Sequence, residues 1–260
     1  MIKIILSIIY LPLSIFITNK ILDKLLKLLK KEKVDEFKTI NIFIVTLLSL
    51  LPIKHLTILL IFLYIKQLIT LGALISFLVT YQSNLLTTLF TNSINNQQII
   101  KLILLKIILG CTIGLFIDYL EKKENPNFIK EIKNTTINSK NIFNCIILIL
   151  FIISLNNFWH NLINTLTQII KNSSFLRIHL IVSSFIAIIP VNNNLSILTN
   201  LFINNFITVN IYIISLLFYL EPLSYLILVL IKSNKEKFKI FKYYFSCIIL
   251  TSISLLLFLL

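Results

Sequence analysis

Acid is scarce in this chain. Asp and Glu number 10 in 260 residues, and charged residues of both signs make up only 13%. A soluble domain carries about 25% charge to hold its surface in water, so an ordinary soluble fold is excluded. Glycine (3) and proline (5) are too few for a collagen-like repeat or a low-complexity disordered chain. Cysteine (3) is too sparse for a disulfide scaffold. Cys111, Cys145 and Cys247 stand singly inside apolar runs with no CxxC spacing, as small buried residues do. No nucleophile–base pair, zinc spacing or phosphate loop is present. Catalysis is therefore not expected, no cofactor is expected, and no metal ligand set can be named.

What the chain has is hydrocarbon. Hydrophobic residues reach 57%, and the mean hydropathy is +0.95. A bilayer span needs about 20 apolar residues, which leaves room for roughly eight to ten crossings. The expected class is an all-α polytopic membrane protein, one membrane domain over 1–260, multi-pass in the cell (inner or cytoplasmic) membrane. The net charge of +14 lies in short stretches between apolar runs. That layout suits anionic headgroups and not nucleic acid. The partners expected are the lipid bilayer and a small ion or metal, with a homo-oligomer left open.

Along the chain, residues 2–18 read as a retained first helix and not a signal peptide, because no small-residue cleavage pattern follows. Residues 19–38 are basic and amphipathic, either a helix on the membrane surface or an extension of the first span. Residues 40–65 form an apolar run interrupted by Pro52-Ile53-Lys54-His55. Each half has about a dozen residues, too short to cross undistorted. Two readings fit: one kinked crossing, or a hairpin that enters and leaves on the same side. Residues 68–90 read as a span with a polar centre, Thr80-Tyr81-Gln82-Ser83-Asn84. Residues 99–120 read as another, with Gly110 and Gly114 at the spacing of a close helix contact. Residues 121–140 form a charged connecting loop, and 141–157 span again, ending near Trp159 and His160 as an interfacial anchor. A second broken run, 178–203, carries Pro190-Val191-Asn192-Asn193-Asn194. A span over 207–231, a basic loop and a last span over 241–260 complete the chain.

The second half repeats the order of the first. Setting Pro52 over Pro190 gives an offset of 138, at which Ile69-Thr70 falls on Ile207-Thr208 and Tyr81 on Tyr219. The expected repeats are 1–120 and 141–260. If each broken run is a hairpin or two short crossings, one side of the membrane collects 18 basic residues and the other 4. If each crosses once, the split is 15 to 7. The cytoplasmic side should be the richer one, so the sharper split is favoured. Each half then crosses an odd number of times, and the two repeats are inverted. Broken segments entering from opposite faces of inverted repeats are the plan of secondary transporters.

The candidate substrate or ion site follows from the breaks. Glu221 is a carboxylate inside an apolar span, beside Pro222. It reads either as a cation or proton site or as a structural acid paired with Lys54 or Lys106. Its repeat mate is Ser83, within Thr80, Gln82, Ser83 and Asn84. Lys54 and His55, and Asn192, Asn193 and Asn194, follow the two prolines as ion ligands or as caps of broken helices. Pro52, Pro190 and Pro222 are the candidate hinges.

Three stretches carry a family resemblance. ITLGALISFLVT followed by LILLKIILGCTIGLFIDYL, the pair LLSLLP and FIAIIP, and LVLIKSNKEKFKIF together resemble the ten-helix heavy-metal (arsenic-type) efflux permeases, also described as manganese transporters. The resemblance covers essentially the whole chain in order. It implies a permease exporting a metal or other small ion by alternating access. The chain departs from that family after each proline, where a Cys or Gly-rich stretch is replaced by Ile53-Lys54-His55 and Val191-Asn192-Asn193. The acidic pair expected after Thr80 is also missing. Those departures suit the alternative, a transport-inactive paralogue serving as a membrane partner subunit or assembly factor.

Overall fold

The computed structural model describes residues 38–51, 56–66, 68–81, 85–91, 96–124, 144, 147–148, 150–152, 154–189, 191, 194–220, 222–231 and 233–259. All regular structure among them is helical, so the all-α class holds. In chain order the helices are α1 (Lys38–Leu48), α2 (Leu56–Ile65), α3 (Leu71–Thr80), α4 (Leu85–Thr91), α5 (Asn96–Glu124), α6 (Asn156–Asn172), α7 (Leu176–Ile188), α8 (Asn194–Ile203), α9 (Val209–Phe218), a 3-10 turn (Pro222–Leu226), α10 (Ile227–Leu230) and α11 (Asn234–Leu259).

Both proline-bearing runs are broken. α1 stops at Leu48, tightened by Leu50 N–H to Leu47 O and Leu51 N–H to Leu48 O, and α2 starts at Leu56. α7 stops at Ile188 and α8 starts at Asn194. A third break was not expected, and a fourth falls at the candidate hinge Pro222. The reading of 68–90 as one span is corrected: α3 ends at Thr80, Tyr81 is extended, and α4 begins at Leu85. The polar run Tyr81-Gln82-Ser83-Asn84 has the residue types that draw the backbone out of a helix. Likewise 207–231 is not one span, because α9 ends at Phe218 and a 3-10 turn opens at Pro222. A proline lacks the backbone donor and disfavours helix in the residue before it.

One further expectation is corrected. The basic loop after 231 is helical from Asn234, because Ser233 Oγ accepts from Glu236 N–H (3.4 Å) in a Ser-x-x-Glu cap. Trp159 and His160 lie just past the turn at Leu155, at the start of α6, whose apolar stripe is Trp159, Leu162, Ile163, Leu166 and Ile170.

Helix starts recur at one interval. From Lys38 to Leu176, Leu56 to Asn194, Leu71 to Val209 and Asn96 to Asn234 the step is 138 each time. The matching extends to the caps. Thr70 Oγ1 accepts from Ala73 N–H at 3.1 Å, and Thr208 Oγ1 accepts from Ile211 N–H at 3.5 Å. Packing follows the same correspondence. α1 lies on α3 and α7 on α9, while α2 packs against the 3-10 turn of the other half and α8 against α4.

Both halves of the core share α5. Its Ile113 and Ile117 belong to a cluster with α1, α2, α3 and α11. Ile99 and Leu102 belong to a second cluster with α6, α7, α8 and α9. Among the described residues α5 is the one helix long and apolar enough to cross a bilayer. Apolar side chains lie on its exposed face and small or polar ones are buried beside its core isoleucines. Leu104, Ile108, Phe116 and Tyr119 are exposed, whereas Lys106, Gly110 and Gly114 are buried.

Small residues let α3 approach α5 closely. A Cβ on Gly72 would lie 2.1 Å from Gly114 O, and one on Gly110 would lie 2.2 Å from the Thr80 methyl. The order of these contacts makes the helices antiparallel. Asp118 Oδ1 on α5 accepts from Gly72 N–H at 2.7 Å, placing a carboxylate at the N-terminal end of α3. Gly72→Ala should therefore destabilise the full chain by about 1–3 kcal/mol, the cost of overpacking. Leu104→Ala, on the exposed face, should cost less than about 0.5 kcal/mol. Thermal unfolding in detergent measures both, and equal effects would contradict the close α3–α5 contact.

Candidate functional site

A helix that stops inside apolar surroundings leaves its last carbonyls without partners. At the end of α7, Asn194 supplies two of them. Its Nδ2 donates to Ile186 O at 2.7 Å and Ile189 O at 2.5 Å, reaching back across the break from the first residue of α8. The Tyr225 hydroxyl, from the 3-10 turn, donates to Ile188 O. At the end of α9 the Tyr244 hydroxyl of α11 donates to Leu217 O at 3.1 Å. At the end of α3, Tyr81 N–H closes on Phe77 O at 2.7 Å, and the Phe77 and Tyr81 rings stack with centroids 4.4 Å apart.

These ends are drawn together. Leu78 of α3, Leu220 after α9, and Ser224, Tyr225 and Tyr244 line one internal cavity of about 10 Å³, room for a single water. Tyr225 thus touches both this cavity and the end of α7. The ends of α3 and α9 thus meet at the cavity, and Tyr225 ties the end of α7 to them.

The sequence-derived site residues divide into two groups. Thr80 is buried, its hydroxyl donating to Ser76 O at 2.8 Å within its own helix and its methyl facing Gly110. Asn194 is fully buried, with its amide nitrogen committed to α7 and its Oδ1 without a hydrogen-bond partner among the described residues. Lys54, His55, Gln82, Ser83, Asn84, Asn192, Asn193 and Glu221, with the hinges Pro52 and Pro190, lie outside the described residues. Pro222 opens the 3-10 turn. Leu220, which precedes Glu221, and Leu78, four residues before Gln82, line one cavity.

Sequence reasoning passed over Tyr225 and Tyr244, because a tyrosine in an aromatic-rich chain carries no signal of its own. Lys106 entered only as a partner for Glu221, although a lysine within LILLKIILG was visible. It is 3% exposed, and its ammonium has no hydrogen-bond partner among the described residues. Among those residues no three His, Cys, Asp or Glu side chains are grouped to hold a metal ion. The buried Cys111 Sγ instead lies 3.2 Å from Thr46 Oγ1, between α5 and α1.

The sequence matches no family model, no curated protein and no solved structure. Geometry alone therefore carries the functional argument. Asn194→Ala should strand Ile186 O and Ile189 O and destabilise the full chain by about 1–3 kcal/mol. A thermal unfolding midpoint equal to wild type would contradict the clamp.

Proposed function

We propose that this chain is a multi-pass permease of the cell membrane, built from two inverted repeats, that exports a metal or other small ion by alternating access. The observation that carries the reading is the set of four broken runs, with the ends of α3, α7 and α9 buried. α2, α3, α8 and α9 have 10 residues each, about 15 Å of helix against about 30 Å of hydrocarbon. Interrupted helices at membrane depth are tolerated where protein or a cavity covers the break, and they are where transporters bind their substrates.

The 138-residue step between helix starts, with reciprocal packing of α2 on the 3-10 turn and α8 on α4, supports a two-fold relation between the halves. Inversion has separate support. Asn41 Nδ2 at the start of α1 donates to Leu68 O just after α2, at 3.3 Å. Lys171 at the end of α6 sits over the Phe206 ring just after α8, 5.6 Å from its centroid. Each broken pair thus starts and finishes at one end, as a hairpin does. Lys239 Nζ is 2.7 Å from Glu121 Oε1. A single crossing by each broken run would put 121 and 239 on opposite faces. The exposed apolar side chains of α5, opposite its small and polar buried stripe, suit a lipid surround.

The second reading, a transport-inactive partner subunit, is favoured by the filled carbonyls at the end of α7 and by the one-water cavity. Flux separates the two. In proteoliposomes the wild type should move manganese or another small ion, and Glu221→Gln should reduce that flux at least about tenfold, as expected for an intramembrane carboxylate that binds or carries protons. No flux for any ion tried would favour the partner subunit. Single cysteines at 66, 95, 130 and 235 test the inversion. Positions 66, 130 and 235 should label from the cytoplasmic face and 95 from the other. Labelling of 66 and 130 from opposite faces would overturn it.

A further inference from the structure

The two long helices are tied together by charge. Glu121, three residues before the end of α5, accepts from Lys239 Nζ at 2.7 Å, and Lys239 lies five residues after the start of α11. The side chains of Lys239 and Glu121 are 22% and 10% exposed. A pair this sheltered is screened less by water and salt than one in open solvent. Further polar groups surround it. Tyr64, at the end of α2, is buried close enough to Glu121 and Glu236 to feel both charges, and Lys66 is buried in the turn that follows.

The corresponding positions of the other half carry no such pair. At the 138-residue offset Lys239 falls on Lys101, Glu121 on Leu259, Glu236 on Gln98, Tyr64 on Phe202 and Lys66 on Asn204. Both acids are gone, and Lys101 is exposed. The repeat therefore ties its long helices by this pair at one end alone.

The pair also stands next to the internal cavity. Ile240 and Phe241, the two residues after Lys239, line that cavity with Leu78, Ser224 and Tyr244. α11 packs on α9 and α3, and the ion pair joins it to α5, the helix shared by both core clusters. Parting α11 from α5 at this end would break the pair and uncover the cavity.

We propose that Glu121 and Lys239 form a latch that holds this end of the molecule shut, so that access to the cavity from the side of Lys239 requires the pair to part. Its place in a transport cycle rests on the permease reading. Inverted repeats alternate access by rocking one part against another around a fixed site. A latch at one end alone biases the resting population toward closure there. On the topology argued above, that end is cytoplasmic.

The test reads opening apart from flux. Ser224→Cys puts a thiol in the cavity of the full chain, held in nanodiscs. A permanently charged methanethiosulfonate reagent is added, and labelling at each cysteine is followed by peptide mass spectrometry. Glu121→Gln or Lys239→Met should speed labelling at position 224 about tenfold, the shift expected when a coupling of about 1.4 kcal/mol is lost. Glu121→Lys combined with Lys239→Glu should return the slow rate. Cys111, in the contact of α5 with α1, should label at one rate throughout. If either single variant does not fold, Lys239→Gln serves in its place. Unchanged labelling in the single variants would overturn the latch, as would labelling of the intact pair as fast as in denaturant. So would an exchanged pair that labels as fast as the single variants. An equal rise at Cys111 would overturn it too, since the pair would then serve the stability of the whole fold. Faster labelling as predicted, without manganese flux in proteoliposomes, would retain the latch and remove only the permease reading.

Discussion

A backbone that stops being helical inside an apolar medium must find partners for the carbonyls it frees, and this constraint governs the molecule. The ends of α3, α7 and α9 each find a donor, and those of α7 and α9 are brought from elsewhere. Asn194 and Tyr225 serve α7, Tyr244 serves α9, and the backbone of Tyr81 serves α3. The donors of α7 and α9 come from later in the chain, so the breaks become meeting points of the fold and not local accidents. The antiparallel contact of α3 with α5 at Gly72, Gly110 and Gly114 holds one such meeting point in place.

The two halves keep a common plan and fill it differently. Gly72 permits the close α3–α5 approach, and its counterpart on α9 is Asn210, half-buried. Lys106 is matched by Tyr244, and Asn194 by Leu56. These substitutions fall at helix ends and contacts, while the Thr70 and Thr208 caps and the helix starts are held.

Much of the architecture was legible in the sequence. The prolines marked two breaks because a missing N–H and a restricted preceding residue act locally. The 138-residue offset was readable from Pro52 and Pro190, and the Gly110–Gly114 spacing announced a close contact. The break after Thr80 was not legible, since an apolar run with a polar centre reads equally as one long helix, whereas the break after Phe218 falls at the candidate hinge Pro222. Lys239 with Glu121, and Tyr225 with Ile188 O, join residues 118 and 37 positions apart, and no local pattern encodes such pairs. Most of the site residues proposed from sequence flank the breaks but lie outside the described residues, so Thr80 and Asn194 alone could be placed with their partners.

The central claim is that breaks from the two halves meet inside the protein. Cysteines replacing Leu78 and Leu220, which line one cavity, test it most directly in native membranes. The account predicts that a membrane-permeant oxidant or short bifunctional thiol reagent joins them within one chain, while either cysteine paired with one at exposed Phe185 remains unjoined. Failure of the 78–220 pair to cross-link, with both thiols shown to be reactive after denaturation, would contradict it.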